Sequence, residues 1–284
     1  MTRFVYISDT HWGSSENGYK VQPKYGDKLP ELLSALTSWI DENGPVDFVL
    51  HGGDVIHETS ETNIKEAAQH FDLPIPVHLC VGNHDLTVDG GIEDWLRLAP
   101  EFFTEGSPNY GIDTGDCWIH VIPNHYGAKP YLWEKIQDYH FLDTQIEALE
   151  RRIESTPDAP HLVLTHCPIL PITQDQSGLP DPFHSPPESF TRTVTGLAEK
   201  YGVRCVLGAH SHVNMNKELN GVNYITVSSF VEAPFEFKLF EIGSETISMQ
   251  THNLWKQVDF PVEYNWNKTF AQGRTCDRSF EIEL

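Results

Sequence analysis

Seven side chains in this sequence have the types and positions to hold metal ions. They are Asp9, His11, Asp54, Asn83, His166, His210 and His212. Each falls just after a short apolar, β-branched run. Asp9 and His11 follow Arg3–Ser8. Asp54 closes His51-Gly52-Gly53-Asp54 after the run 47–50. Asn83 lies in Gly82-Asn83-His84-Asp85 after the run 76–80. His166 follows 161–164, and His210-x-His212 follows 203–207. Carboxylate and imidazole donors together suit first-row ions such as Mn, Fe, Zn or Co, whereas an all-oxygen set would suit Mg or Ca. A carboxylate such as that of Asp54 can bridge two ions. Two ions about 3.5–4 Å apart clamp the attacking and leaving oxygens of an in-line displacement and acidify a bound water.

The first half of the sequence alternates strand and helix. A helical face of Leu32, Leu33, Leu36, Trp39 and Ile40 predicts a helix over 30–41, stopped by Asn43-Gly44-Pro45. Residues 61–71 read as a second helix. This spacing of strands and helices predicts parallel strands at the centre of a sheet, with ligands bound outside their carboxyl ends. All seven donors are therefore expected at one sheet edge, with Gly52, Gly53, Gly82 and Gly208 letting the backbone turn there. Farther on, a hairpin is expected around Gly115, helices over 141–153 and 188–201, and a Pro-rich loop over 168–187. Strand-turn-strand patterning from Val213 to Thr251, with turns at Asn220-Gly221 and Gly243-Ser244, predicts a second sheet.

The series Asp9-x-His11, Gly53-Asp54, Gly82-Asn83-His84-Asp85, His166 and His210-x-His212 resembles the calcineurin-like metallophosphoesterase family. The match in order and spacing runs over residues 4–228. Within the family it resembles the cyclic-nucleotide and glycerophosphodiester phosphodiesterases. The resemblance implies a four-layer α/β/β/α sandwich with two mixed sheets. It implies that Asp9, His11 and His212 hold one metal, that Asn83, His166 and His210 hold a second, and that Asp54 bridges them. It implies that His84 contacts the phosphate or protonates the leaving oxygen, with Asp85 orienting its ring, as a hydroxide between the metals attacks phosphorus. One departure stands out: the family usually has Gly directly before the first His of the last motif, and here that residue is Ala209, which adds a methyl and disfavours positive φ.

The formal net charge of −22 argues against long nucleic acid as substrate, because such binders carry a basic footprint. A small phosphate ester brought in by the metals is expected instead. The five cysteines form no C-x-x-C pair, and Cys80, Cys117 and Cys205 lie in or beside apolar runs, so buried thiols in a reducing, cytoplasmic compartment are expected. No stretch approaches the roughly 18 apolar residues of a membrane span, and no signal peptide is read. Residues 1–254 are read as one domain with excursions at 123–139 and 168–187. Residues 255–284 are read as an extension packing on the core or at an oligomer interface.

Other residues carry weaker expectations. His51, His57, His70, His78, His120, His140, His161 and His252 read as core or surface histidines. His125 and Tyr126 could line the substrate pocket or pack in a loop, and His184 could sit at its rim. Tyr131, Trp133 and Tyr139 could stack on a base or sugar, form a lid, or support a homodimer; packing is the favoured reading. Trp12 could cover the site. The expected activity is hydrolysis of a small phosphodiester, of cyclic-nucleotide or glycerophosphodiester type. The alternatives are a phosphomonoesterase acting on a nucleotide, sugar phosphate or phosphoprotein, and a non-catalytic metal-binding scaffold. The loops at 14–28, 123–139 and 168–187 are expected to select the substrate.

Overall fold

The computed structural model describes residues 1–14 and 20–284; of the 14–28 loop, residues 15–19 lie outside the described residues. Strand β1 (Thr2–Ile7) buries Phe4 through Ile7 on both faces, as a central strand covered on two sides must. Helix α1 (Leu29–Asn43) turns its apolar stripe inward, then β2 (Phe48–His51) runs parallel to β1. Helix α2 (Glu61–His70) starts where the Ser60 hydroxyl accepts from Asn63 N–H. Strand β3 (Val77–Leu79) pairs parallel with β2, and α3 (Gly91–Leu98) follows. The hairpin β4 (Tyr110–Asp113) and β5 (Trp118–Val121) opens a second sheet. Helix α4 (Asp143–Ser155), β6 (His161–Leu164), the short α5 (Gln174–Ser177), α6 (Glu188–Tyr201) and β7 (Cys205–Gly208) continue it.

Here the structure corrects the sequence reading of residues 213–251. That segment is divided between both sheets. Strands β8 (Met215–Leu219) and β9 (Val222–Thr226) join the second sheet, whereas β10 (Glu236–Ile242) and β11 (Thr246–Asn253) return to the first, with β10 antiparallel to β1. After α7 (Thr275–Arg278), β12 (Ser279–Glu283) closes the edge beside β11. The sheet orders are β12-β11-β10-β1-β2-β3 and β4-β5-β6-β7-β9-β8, both mixed. The reason is local ambiguity: the strand and turn pattern of a hairpin is the same whichever sheet receives it.

The result is an α/β/β/α sandwich. Phe4 is stacked between its register partners Phe48 and Phe240, at 5.1 and 4.8 Å, which ties the three central strands of the first sheet together. Hydrogen bonds from Tyr6 Oη to the Gly208 carbonyl and from Tyr110 Oη to the Leu79 carbonyl bind the sheets to each other. On the outside, Trp39 of α1 meets Phe237 of β10, while Lys200 and Tyr201 of α6 meet Glu150 of α4. No helix among the described residues is long and apolar enough to cross a membrane.

Candidate metal centre

The carboxyl ends of β1, β2 and β3 in one sheet and of β6 and β7 in the other open toward the same spot. The donors thus come from two sheet edges facing across a seam, not from the single edge expected. Asp9, His11, Asp54, His210 and His212 all have left-handed backbones, with φ between 44° and 61°. Such conformations cost non-glycine residues of order 1 kcal/mol or more and persist only where the surroundings impose them. The imposing contacts are visible: Asp9 N–H donates to the Gly53 carbonyl, His11 N–H to that of Asp54, and His210 N–H to the Asp9 carboxylate. Ala209 is not among the residues with positive φ; the left-handed turn falls on His210 instead, so the extra methyl meets no backbone conflict.

The donor atoms gather closely. His11 Nε2 faces His212 Nε2 at 3.3 Å, and His212 Nε2 lies 3.5 Å from Asp9 Oδ1. His166 Nε2 faces His210 Nδ1 at 3.2 Å. Asp54 Oδ2 stands between the two groups, 3.7 Å from His11 Nε2 and 3.3 Å from His166 Nε2. Asp9 Oδ1 and Asn83 Oδ1 are buried without a hydrogen-bond partner. Donors bound at about 2.1 Å to one ion lie roughly 3.0–3.4 Å apart, so this spacing, together with two orphaned buried oxygens, fits a pair of cations. Asp9, His11 and His212 form one cluster able to hold an ion, and Asp54, His166 and His210 another.

Electrostatics point the same way. Burial lowers His166, but the Asp54 carboxylate outweighs it and lifts the imidazole to about 9. Burial likewise lowers His212 while Glu232 and Asp9 raise it well above the ordinary range. Burial raises Asp54, yet His166, His84 and His11 hold it well below the usual carboxylate range. Burial, helped by the neighbouring histidines, pushes His11 and His210 well below the ordinary imidazole range, against the pull of Asp54. The centre therefore attracts positive charge, which a bound cation would supply more strongly than protons do.

A second layer fixes the rings. His166 Nδ1 donates to the Gly52 carbonyl at 2.8 Å, and His212 Nδ1 to Glu232 Oε1 at 2.6 Å, leaving Nε2 of each toward the centre. His84 is held by Nδ1 at 2.7 Å from the His57 carbonyl. This corrects the role expected of Asp85. Its carboxylate accepts instead from Gly82 N–H and Ile56 N–H, pinning the loop that carries Asn83. Residues 84–86 form a 3₁₀ turn, in which neighbouring side chains diverge by about 120°. Asp85 therefore points away from the His84 ring. Burial and the nearby Asp54 push its carboxyl up to about 8.

Two residues escaped the sequence reading. His57, read as a core or surface histidine, stacks on His84 at 4.6 Å and brings Nδ1 to 3.5 Å from His11 Nδ1. Glu232 lay among many acidic residues with no motif to mark it. Other expectations resolve against the cavity of about 730 Å³ over the centre. Trp133 and His184 line it, with rings 4.7 Å from His84 and 5.2 Å from His210. His125 and Tyr126 are buried away from it, and Tyr131 and Tyr139 pack inward. Trp12 turns to α2, where its Nε1 donates to Glu66 and its ring meets His70.

Residues 2–214 match the calcineurin-like phosphoesterase family. The chain belongs to that family. This phosphoesterase is similar in fold to a dimetal phosphatase of Danio rerio, at TM-score 0.69 and 15% identity, covering 89% of this chain and 96% of the other. It is similar to a purple acid phosphatase from yellow lupin (Lupinus luteus) seeds, at TM-score 0.62 and 16% identity, covering 99% of this chain and 53% of that longer one. GAP50, the anchor in the inner membrane complex of Plasmodium, shares the fold at TM-score 0.59 and 12% identity, with 90% and 86% covered. No curated protein sequence matches. The phosphoesterase is thus a metal-dependent hydrolase of a family that binds two metal ions, and its His and Asp clusters could hold them.

Proposed function

We propose that the protein hydrolyses small phosphodiesters. In this reading Asp9, His11 and His212 would hold one metal and Asn83, His166 and His210 the other, with Asp54 shared between the two sets. Mn, Fe, Zn or Co would suit these donors, and the bound pair supplies Lewis acidity and an activated water. The residues do the rest. The His57 carbonyl keeps a proton on His84 Nδ1, so any proton that His84 passes to the leaving oxygen moves through Nε2. Asp85 holds the Asn83–His84 turn in place through Gly82 and Ile56. The second-layer acceptors Gly52 and Glu232 fix which nitrogen of His166 and His212 faces the centre.

The observation that carries the diester reading is the shape of the cavity. Its lining includes Trp133, Phe183 and Phe270 as well as donors, and its volume of about 730 Å³ leaves room for an organic group beside a phosphate. The four buried free thiols suit a reducing cytoplasm. Two fold neighbours are named phosphatases and a third an anchor, which keeps the monoesterase and scaffold readings as alternatives. Protein loaded with Mn²⁺ is expected to carry two equivalents of metal and to cleave bis(p-nitrophenyl) phosphate faster than p-nitrophenyl phosphate, with both activities lost in Asp54→Ala. The reverse rate order would make it a monoesterase. A two-metal protein inactive on every phosphate ester would make it a scaffold.

A further inference from the structure

Part of the wall of the cavity over the metal centre comes from a segment beyond the residues shared with the family. Asn265, Asn267, Lys268 and Phe270 line it, more than fifty residues beyond the end of the matched region at 214. This segment is not loosely apposed. Gln22, almost wholly buried, donates from Nε2 to the carbonyls of Asn265 and Lys268 and accepts from Asn265 N–H at Oε1. The backbone N–H groups of Val21 and Gln22 in turn donate to Glu232 Oε2, whose other oxygen holds His212. One continuous set of hydrogen bonds thus runs from a candidate metal donor to this part of the wall. A second brace runs from Asn214, whose N–H donates to the Ala271 carbonyl and whose own carbonyl accepts from Gln176 Nε2.

We infer that the turn 265–270 is the substrate-selecting wall of this enzyme, and that the group it takes is the base of a nucleoside phosphodiester. The inference rests on the phosphodiesterase reading above. The chemistry of the wall supports it. Phe270 and Phe183 meet edge-to-face at 6.0 Å, and Trp133 stands on the same cavity beside His84. Flat rings of this kind take a heterocycle by stacking. Asn265 Oδ1 already caps the turn by accepting from Asn267 N–H, which leaves its Nδ2 and the Asn267 carboxamide for the polar edge of the base, and Lys268 and Lys20 line the cavity as cations in a strongly acidic protein. A glycerol or methyl arm has no flat face to stack on these rings. Because the wall is held at a set distance from the donors, it acts by pre-organisation: the base docks without ordering the loop.

The test compares two esters with the same leaving group, thymidine 5′-(p-nitrophenyl phosphate) and methyl p-nitrophenyl phosphate, on the Mn²⁺-loaded full-length enzyme. The expected result is a kcat/KM at least about tenfold higher for the nucleoside ester, in line with the strength of base–aromatic stacking. Phe270→Ala and Gln22→Ala are both expected to shrink that ratio toward one, chiefly through KM for the nucleoside ester. The ratio is read within each protein, so partial loss of folded enzyme cancels. Equal kcat/KM for the two esters in the native enzyme, or a ratio unmoved in both variants, overturns the inference and leaves the phosphodiesterase reading standing. Failure to cleave either ester overturns that reading itself.

Discussion

Replacing Glu232 with glutamine changes one atom and removes one charge, and its consequence can be worked out from three hydrogen bonds. The carboxylate accepts from His212 Nδ1 at 2.6 Å through one oxygen, and from Val21 N–H at 2.9 Å and Gln22 N–H at 2.6 Å through the other. Glutamine keeps one oxygen for those three donors. If that oxygen turns to the backbone, the new NH₂ faces His212 Nδ1. The ring must then accept there, moving its proton to Nε2, the nitrogen that lies 3.3 Å from His11 Nε2 and 3.5 Å from Asp9 Oδ1. A protonated Nε2 cannot bind a cation. If the oxygen turns to His212 instead, two buried N–H groups lose their acceptor, at a cost of about 1–3 kcal/mol each. Either orientation penalises the metal-competent state. Loss of a second-layer carboxylate of this kind weakens metal binding by about 10–100-fold, or about 1.4–2.7 kcal/mol. The assay is calorimetric titration of Mn²⁺ into metal-stripped protein. The native chain should take two ions, and Glu232→Gln should show at least one of them weakened by that factor. A Glu232→Gln protein binding both ions within about twofold of the native affinity would refute the argument that this carboxylate sets the His212 tautomer.

Two further perturbations probe the scaffold. A Cβ at Gly82 would collide with the Asp54 carboxylate and stand 2.8 Å from His166 Cε1, so Gly82→Ala should lower the melting temperature and reduce bound metal below two equivalents, with an overpacking cost of about 1–3 kcal/mol; metal analysis alongside a thermal melt checks both. Lys238, buried, is pulled down to about 7 by burial, against its ordinary 10.5. Between those values the unfolded chain binds the extra proton, so this residue makes stability rise with pH by up to about 1.4 kcal/mol per unit. Below pH 7 both states are charged and the burial penalty is felt in full. Lys238→Met should therefore be stabilising near pH 6 and lose that advantage by pH 10, measured as the difference between variant and native denaturation midpoints.

What was legible in the sequence was whatever depends on near neighbours along the chain. Asp9 and His11 read as donors because a strand ends two residues before Asp9, and the same logic placed Asp54, Asn83, His166, His210 and His212. Helix α6 and strand β6 read cleanly because their periodicity is long or their flanks are marked by Pro and Gly. Helix α3 went unread, since eight residues give only two turns of pattern. The return of β10 to β1 was illegible for a different reason: choosing a strand partner is a non-local decision, and nothing in residues 236–242 names Phe4 or Tyr6 as neighbours. Asp85 shows a third limit. The resemblance implied that it orients the His84 ring, but its carboxylate accepts from Gly82 and Ile56 N–H, and a 3₁₀ turn sends the two side chains apart.

The misread crossover is also what makes the site work. Because the chain leaves β9 in one sheet and re-enters at β10 in the other, residues 227–235 must cross the seam where the donors converge. Phe230 N–H donates to the Ser8 carbonyl and the Ser229 hydroxyl to the Asp9 carbonyl, so the crossing segment is tied to the strained turn that presents Asp9. Three residues later the same segment delivers Glu232 to His212 and to the Val21–Gln22 backbone. A hairpin confined to the second sheet would have left the left-handed turns of both sheets supported separately, free to drift by the fraction of an ångström that decides whether donors share an ion. The crossover couples them. It follows that loosening residues 227–235 should impair metal affinity and substrate choice together, although no side chain of that segment is a candidate metal donor.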